Sequence, residues 1–243
     1  MYWLLAVLAL GLIIFVHELG HFIAGRRKNI PIAIFSIGFG PRIWGFKRGG
    51  TDYRLSLIPL GGYVLPELKE IEDLHKIPIG RRIAFSLGGP IANIVFAVVL
   101  LSIFNMITNG PSIMNILFMP IIQCASLLIS MMISFASIFS DPGSMSGVVG
   151  MASQGGSFIS GGMTNLLIFM VMINLNLAIF NLLPIPVLDG GKILMALLEK
   201  VSIITRKVQV PITVASLFLI LALVLYTTVM DLIGLISGSL HYF

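Results

Sequence analysis

Long apolar runs dominate the chain, and sparse polar residues set their limits. Met1–Ala24 runs unbroken by a basic residue until Arg26, Arg27 and Lys28 stop it. Ile83–Ile107, Met163–Leu183 and Val210–Ile236 are three further runs of this kind. About 20 apolar residues in a helix cross the hydrocarbon core, so each run is long enough to span. The pattern predicts an all-α polytopic membrane protein with four transmembrane helices, at about 1–24, 83–107, 163–183 and 210–236. A fifth apolar stretch, 113–139, has weakly polar residues at Asn115, Gln123, Ser126, Ser130, Ser134 and Ser137. Most of these steps are three or four residues, a helical stripe. A single crossing there would place the two basic parts of the chain on opposite sides of the membrane. It is therefore expected to be an extra helix lying at the outer face or packed along the bundle.

Residues 30–66 break the helical pattern. Gly38, Gly40, Pro41, Gly45, Gly49, Gly50, Pro59, Gly61 and Gly62 punctuate short apolar runs, and Gly49-Gly50 falls between Trp44–Phe46 and Tyr53–Ile58. Such spacing predicts a hairpin turn and a small membrane-associated β element at the cytoplasmic side. Leu68–Lys76 is polar and reads as a short surface helix or loop, and Asp141–Gly162 reads as a Gly/Ser-rich connector. The whole of 1–243 is expected to form one integral-membrane domain.

Composition excludes the soluble classes. Hydrophobic residues make up 57% of the chain and charged ones 10%, too few polar side chains to cover a water-soluble globule. The one cysteine, Cys124, excludes an internal disulfide and a cysteine-cluster metal site. All 15 Lys and Arg lie in 26–82 and 192–207. Because basic loops stay in the cytoplasm, both stretches are expected there, with both termini extracytoplasmic in a multi-pass protein of the cell's inner membrane. The net charge of +5 then reads as topology and lipid contact, and no nucleic acid is expected as a partner.

Within the first span stands His17-Glu18-Leu19-Gly20-His21. A helix puts residues i and i+4 on one face, so both imidazoles can address one ion, with Glu18 beside them. An ionisable group costs about 2.5–3.5 kcal/mol at the centre of a span on insertion scales. Three in five residues call for a compensating partner, which a divalent metal provides. A third ligand is needed. His75, Cys124, Asp141, Asp231 and His241 fall in loops or toward the outer side, whereas Asp189 follows the third span where it ends on the inner side. Asp189 is the best-placed acid, and capping of the helix after it is the alternative role. Pro184 and Pro186 break the helix before it, a conformation tolerated at membrane depth only in a buried or wet setting. Asn174, Asn176 and Asn181 sit in the same apolar run and are expected to face the interior, as substrate contacts or interhelical bonds. Gly89 and Asn93, four apart, read mainly as a packing face.

Taken together, His17-Glu-Leu-Gly-His21, Ile37-Gly-Phe-Gly-Pro41, Ile58-Pro-Leu-Gly-Gly-Tyr-Val64, Gly88-Gly-Pro-Ile-Ala-Asn93 and Asn176–Asp189-Gly-Gly resemble the site-2 protease family of intramembrane zinc metalloproteases. The resemblance is strongest to its bacterial, sigma-E-regulating members. It implies Zn2+ held by His17, His21 and Asp189, Glu18 as catalytic acid/base, and substrate contacts from Asn176, Asn181, Gly61 and Gly62. It further implies cleavage of a transmembrane helix in single-span membrane proteins, such as an anti-sigma factor or remnant signal peptides. The PDZ domain of close relatives is not expected, since Thr108–Gly162 is too short and too apolar for one. Two rival readings come from other classes. A non-catalytic metal-containing adaptor or chaperone has no need of Glu18, and a transporter is expected to show paired broken helices in related halves. Oligomeric state is not legible in the sequence.

Overall fold

A computed structural model describes residues 2–68, 70, 72–138, 158–201 and 204–237. Helix α1 (Tyr2–Arg27) leads into strands β1 (Ile32–Arg48) and β2 (Thr51–Pro66). A short α2 (Glu72–Lys76) precedes the long α3 (Ile79–Asn109). A π-helical turn (Met114–Phe118) opens α4 (Met119–Ile138), followed by α5 (Met163–Asn181), α6 (Asp189–Leu198) and α7 (Ile204–Ser237). The Asp141–Gly162 connector, with Asp141, lies mostly outside the described residues, and His241 lies outside them too.

Among the described residues, five helices are long and apolar enough to cross a membrane: Leu4–Arg27, Ile79–Asn109, Met114–Ser134, Met163–Asn181 and Val208–Met230. The additional one is the stretch expected to lie at the outer face or along the bundle. The chain forms two compact units. The first comprises 1–9, 97–173 and 214–243. In it the amides of Asn105 and Gln123 pair reciprocally, at 2.8 and 3.4 Å, and the Ser102 hydroxyl donates to the Ile116 carbonyl at 2.8 Å. The π-helical turn and the start of α4 are thus both tied to the second half of α3.

The second unit comprises 10–96 and 174–213 and holds the polar residues of interest. β1 and β2 form an antiparallel hairpin whose turn, Gly49-Gly50, has φ of 58° and 83°. Positive φ at both central positions is what a tight hairpin turn requires and what glycine supplies freely. Both strands bend. Ile34–Ile37 pairs with Asp52–Leu55 on one side and with Gly62–Leu65 on the other, and register shifts run through Ile34–Trp44. Gly62–Leu65 has no second strand partner among the described residues, so it is an edge. Rings dock the sheet on α1: Phe35 lies 6.1 Å from Phe15 and 5.3 Å from Phe22, and Tyr53 lies 5.7 Å from Phe22. Phe15, Glu18 and Phe22 share one face of α1, and so the sheet is brought to Glu18.

Candidate metal centre

The other face of α1 carries His17 and His21, both 6% exposed. It packs on the start of α3 closely enough that a Cβ on Gly88 would lie 2.5 Å from the Gly20 carbonyl oxygen. One residue on, a Cβ on Gly89 would fall on His21 Nε2 and lie 2.6 Å from His17 Nε2. Only a residue without a side chain leaves that space to the imidazoles.

Asp189 comes from the other end of the chain. It is the first residue of α6, with Leu188 in the cap position, and its carboxylate meets His17, His21 and Lys192. It is 3% exposed. Its Oδ2 stands 3.3 Å from His17 Nε2 and 3.1 Å from His21 Nε2, and the two nitrogens are 3.2 Å apart. Ligands at zinc's usual bond lengths of about 2.0–2.1 Å form a tetrahedral face with edges of about 3.3–3.4 Å. The near-equilateral triangle of two nitrogens and one anionic oxygen thus has the size and donor chemistry of one face of such a site. Lys192 Nζ donates to the other carboxylate oxygen at 3.0 Å. Burial pushes the Asp189 carboxyl up, but the two imidazoles and the Lys192 ammonium favour its charged form and hold it well below the usual carboxylate range.

A cavity of about 240 Å³ opens beside this triangle. His17, Glu18, His21, Asn181, Asp189, Lys192 and the edge arm Gly62–Leu65 all line it. Gly62 approaches Glu18 so closely that a Cβ there would lie 2.8 Å from Glu18 Cγ. Asn181 lines the cavity while its amide donates to Leu177 O at 3.0 Å. Gly61 sits under the Phe39 ring with φ of 123°, outside the lining. Asn176 is exposed on α5, also outside the lining. Outer contacts steady the imidazoles: His21 Nδ1 donates to the Phe85 carbonyl at 2.8 Å, and His17 Nδ1 meets the Asn93 amide at 3.1 Å. Asn174, fully buried, donates to the Asn93 carbonyl.

Asn93 is more than the packing residue its spacing indicated. The available signal was its place one helical turn after Gly89, as a lone amide inside an apolar span. A second cluster escaped the sequence reading altogether. Glu199 Oε2 accepts from Arg82 at 2.5 Å and from His75 Nδ1 at 3.1 Å, tying the end of α6 to α2 and α3. Burial pushes the Glu199 carboxyl up, yet the bonds from Arg82 and His75 bring it below its ordinary value.

The chain was compared with known proteins. It is 42% identical over 103 residues to the regulator of sigma-E protease RseP of Escherichia coli, covering 38% of this chain and 23% of that protein. A Helicobacter pylori protein provisionally named a zinc metalloprotease is 41% identical over 108 residues, covering 40% of this chain and 31% of its own length. A Chlamydia pneumoniae protein with a similar provisional name is 39% identical over 126 residues, covering 45% of this chain and 20% of its own. The chain thus spans about a fifth to a third of the length of these curated relatives. Residues 5–225 match the family model of peptidase family M50, and the chain, as its motifs led one to expect, belongs to that family.

Proposed function

We propose that this chain is an intramembrane zinc metalloendopeptidase that cuts a transmembrane segment of single-span membrane proteins. The observation that carries this reading is the meeting of both HExxH imidazoles with a carboxylate from a distant helix, with Glu18 in the same cavity. His17, His21 and Asp189 would hold the ion. Zinc supplies Lewis acidity there, which makes water a competent nucleophile near neutral pH and polarises a carbonyl. Glu18 takes the proton of the attacking water and returns it to the leaving amine nitrogen. Lys192 holds Asp189 in place and brings positive charge to the cavity wall. Asn181 and the edge arm Gly62–Leu65 bind the substrate backbone. A transmembrane helix hides its carbonyls in internal hydrogen bonds, so it must unwind locally, and an open strand edge offers those groups new partners.

An anti-sigma factor or a remnant signal peptide fits this reading as substrate, and the sigma-E protease name of several relatives supports the former. The two basic stretches support an inner-membrane protein whose metal centre lies toward the cytoplasm. The test is cleavage of a single-span substrate by purified protein in detergent. Phenanthroline should stop the reaction and zinc should restore it. Glu18→Gln should abolish cleavage while still binding about one zinc per chain. Full cleavage by Glu18→Gln would sink the proposal.

A further inference from the structure

Different partners hold the outer nitrogens of the two imidazoles. The Phe85 carbonyl only accepts, so His21 Nδ1 carries a proton and the neutral ring presents a lone pair at Nε2. That is the tautomer a cation needs. His17 Nδ1 instead faces the Nδ2 end of the Asn93 amide, which only donates. Nδ1 therefore accepts, and the proton of the neutral ring sits on Nε2, 3.3 Å from Asp189 Oδ2. In that form His17 has no lone pair at Nε2 for an ion. The other end of the amide, Asn93 Oδ1, is buried without a hydrogen-bond partner among the described residues. Half a turn of the amide about its last bond exchanges the two ends. Oδ1 then accepts from Nδ1–H, and Nε2 is released. The ring's proton count stays the same, since one proton leaves Nε2 and one joins Nδ1.

We infer that Asn93 is a positioning residue that selects the tautomer of His17, its Nδ2 end matching the ring protonated at Nε2 and its Oδ1 end the metal-binding ring protonated at Nδ1. The inference rests on the zinc reading above. Two features favour a switching amide over inert packing. Asn93 is fully buried, and its backbone is pinned by Asn174, so the side chain has little to do but address His17. Its acceptor also has no partner among the described residues while Nδ2 faces His17, although a buried carbonyl without a partner is costly. Outer-sphere partners that hold a ligating imidazole in its tautomer typically contribute roughly 10–100-fold in metal affinity.

The test measures zinc affinity of the purified full chain by competition with a chromophoric chelator, together with nitrogen-15 spectra of the histidine rings. Asn93→Leu, similar in size but without an acceptor, should weaken zinc binding by roughly 10–100-fold. Asn93→Asp, which accepts from Nδ1–H in either orientation, should hold zinc within a few-fold of wild type. A packing role predicts the reverse order, because a buried charge disturbs an apolar contact more than leucine does. Should Asn93→Leu fail to fold, spectra of zinc-free protein decide. The His17 ring, assigned by its loss in His17→Ala, should carry its proton on Nε2 in wild type and on Nδ1 in Asn93→Asp. The same tautomer in both, or equal zinc affinity in folded Asn93→Leu, overturns the inference. If wild type binds no zinc, it is the proposed function that fails.

Discussion

One added methyl group tests the proposed metal centre most directly. Gly89→Ala drives a Cβ into the space between His17 Nε2 and His21 Nε2, and α3 cannot retreat while Gly20 and Gly88 hold it against α1. Zinc affinity is expected to fall by roughly 10–100-fold or more, read by chelator competition, although Gly89 itself is outside the cavity lining. Gly62→Ala acts on the opposite wall. Its Cβ would press on Glu18 Cγ but reach no ligand atom. The expected outcome is a lower kcat with zinc content unchanged, a split that separates the base from the ligands. Loss of metal in Gly62→Ala would show that the hairpin also supports the imidazoles.

At the scale of elements, the Arg82–Glu199–His75 cluster anchors α6, the helix that starts with Asp189. Glu199→Gln removes the charge that Arg82, 7% exposed, is paired with. Breaking such a buried pair costs about 3–5 kcal/mol, so thermal unfolding in detergent should shift clearly downward. The pH dependence has a definite sign. Glu199 has a folded pKa below its ordinary value of 4.5. Its contribution is therefore fully present above that value and drains away as pH falls through the folded pKa. Below pH 4.5 the wild type should lose stability more steeply than Glu199→Gln, in melts taken across that range. The sequence made some elements legible and hid others for a physical reason. Periodicity within one helix revealed His17 and His21, and two adjacent glycines revealed the hairpin turn, because both signals are local. Asp189 was found by reasoning about sides of the membrane. Asn93 and Glu199 depend on which helix faces which and at what height, which no local period encodes. The place of α4 was open because weakly polar stripes suit both a spanning and a crossing helix.

For the whole molecule, the issue is what α4 does in the membrane. It is long enough to span, and its Gln123 pairs with Asn105 of α3. Single cysteines in a Cys124→Ser background report the arrangement. With both basic stretches cytoplasmic and α4 not crossing, Gly110→Cys and Gly162→Cys should both label from outside. Labelling of Gly162→Cys only after the membrane is opened would make α4 a span. The wide separation of the ligands along the chain has a further meaning for the cell that makes it. A ribosome finishes the HExxH helix early but must make everything from His21 to Asp189 before the carboxylate arrives. If the chain is the hydrolase proposed above, half-made copies carry the motif without the means to cut, and biosynthesis itself would act as a safety catch among other membrane proteins.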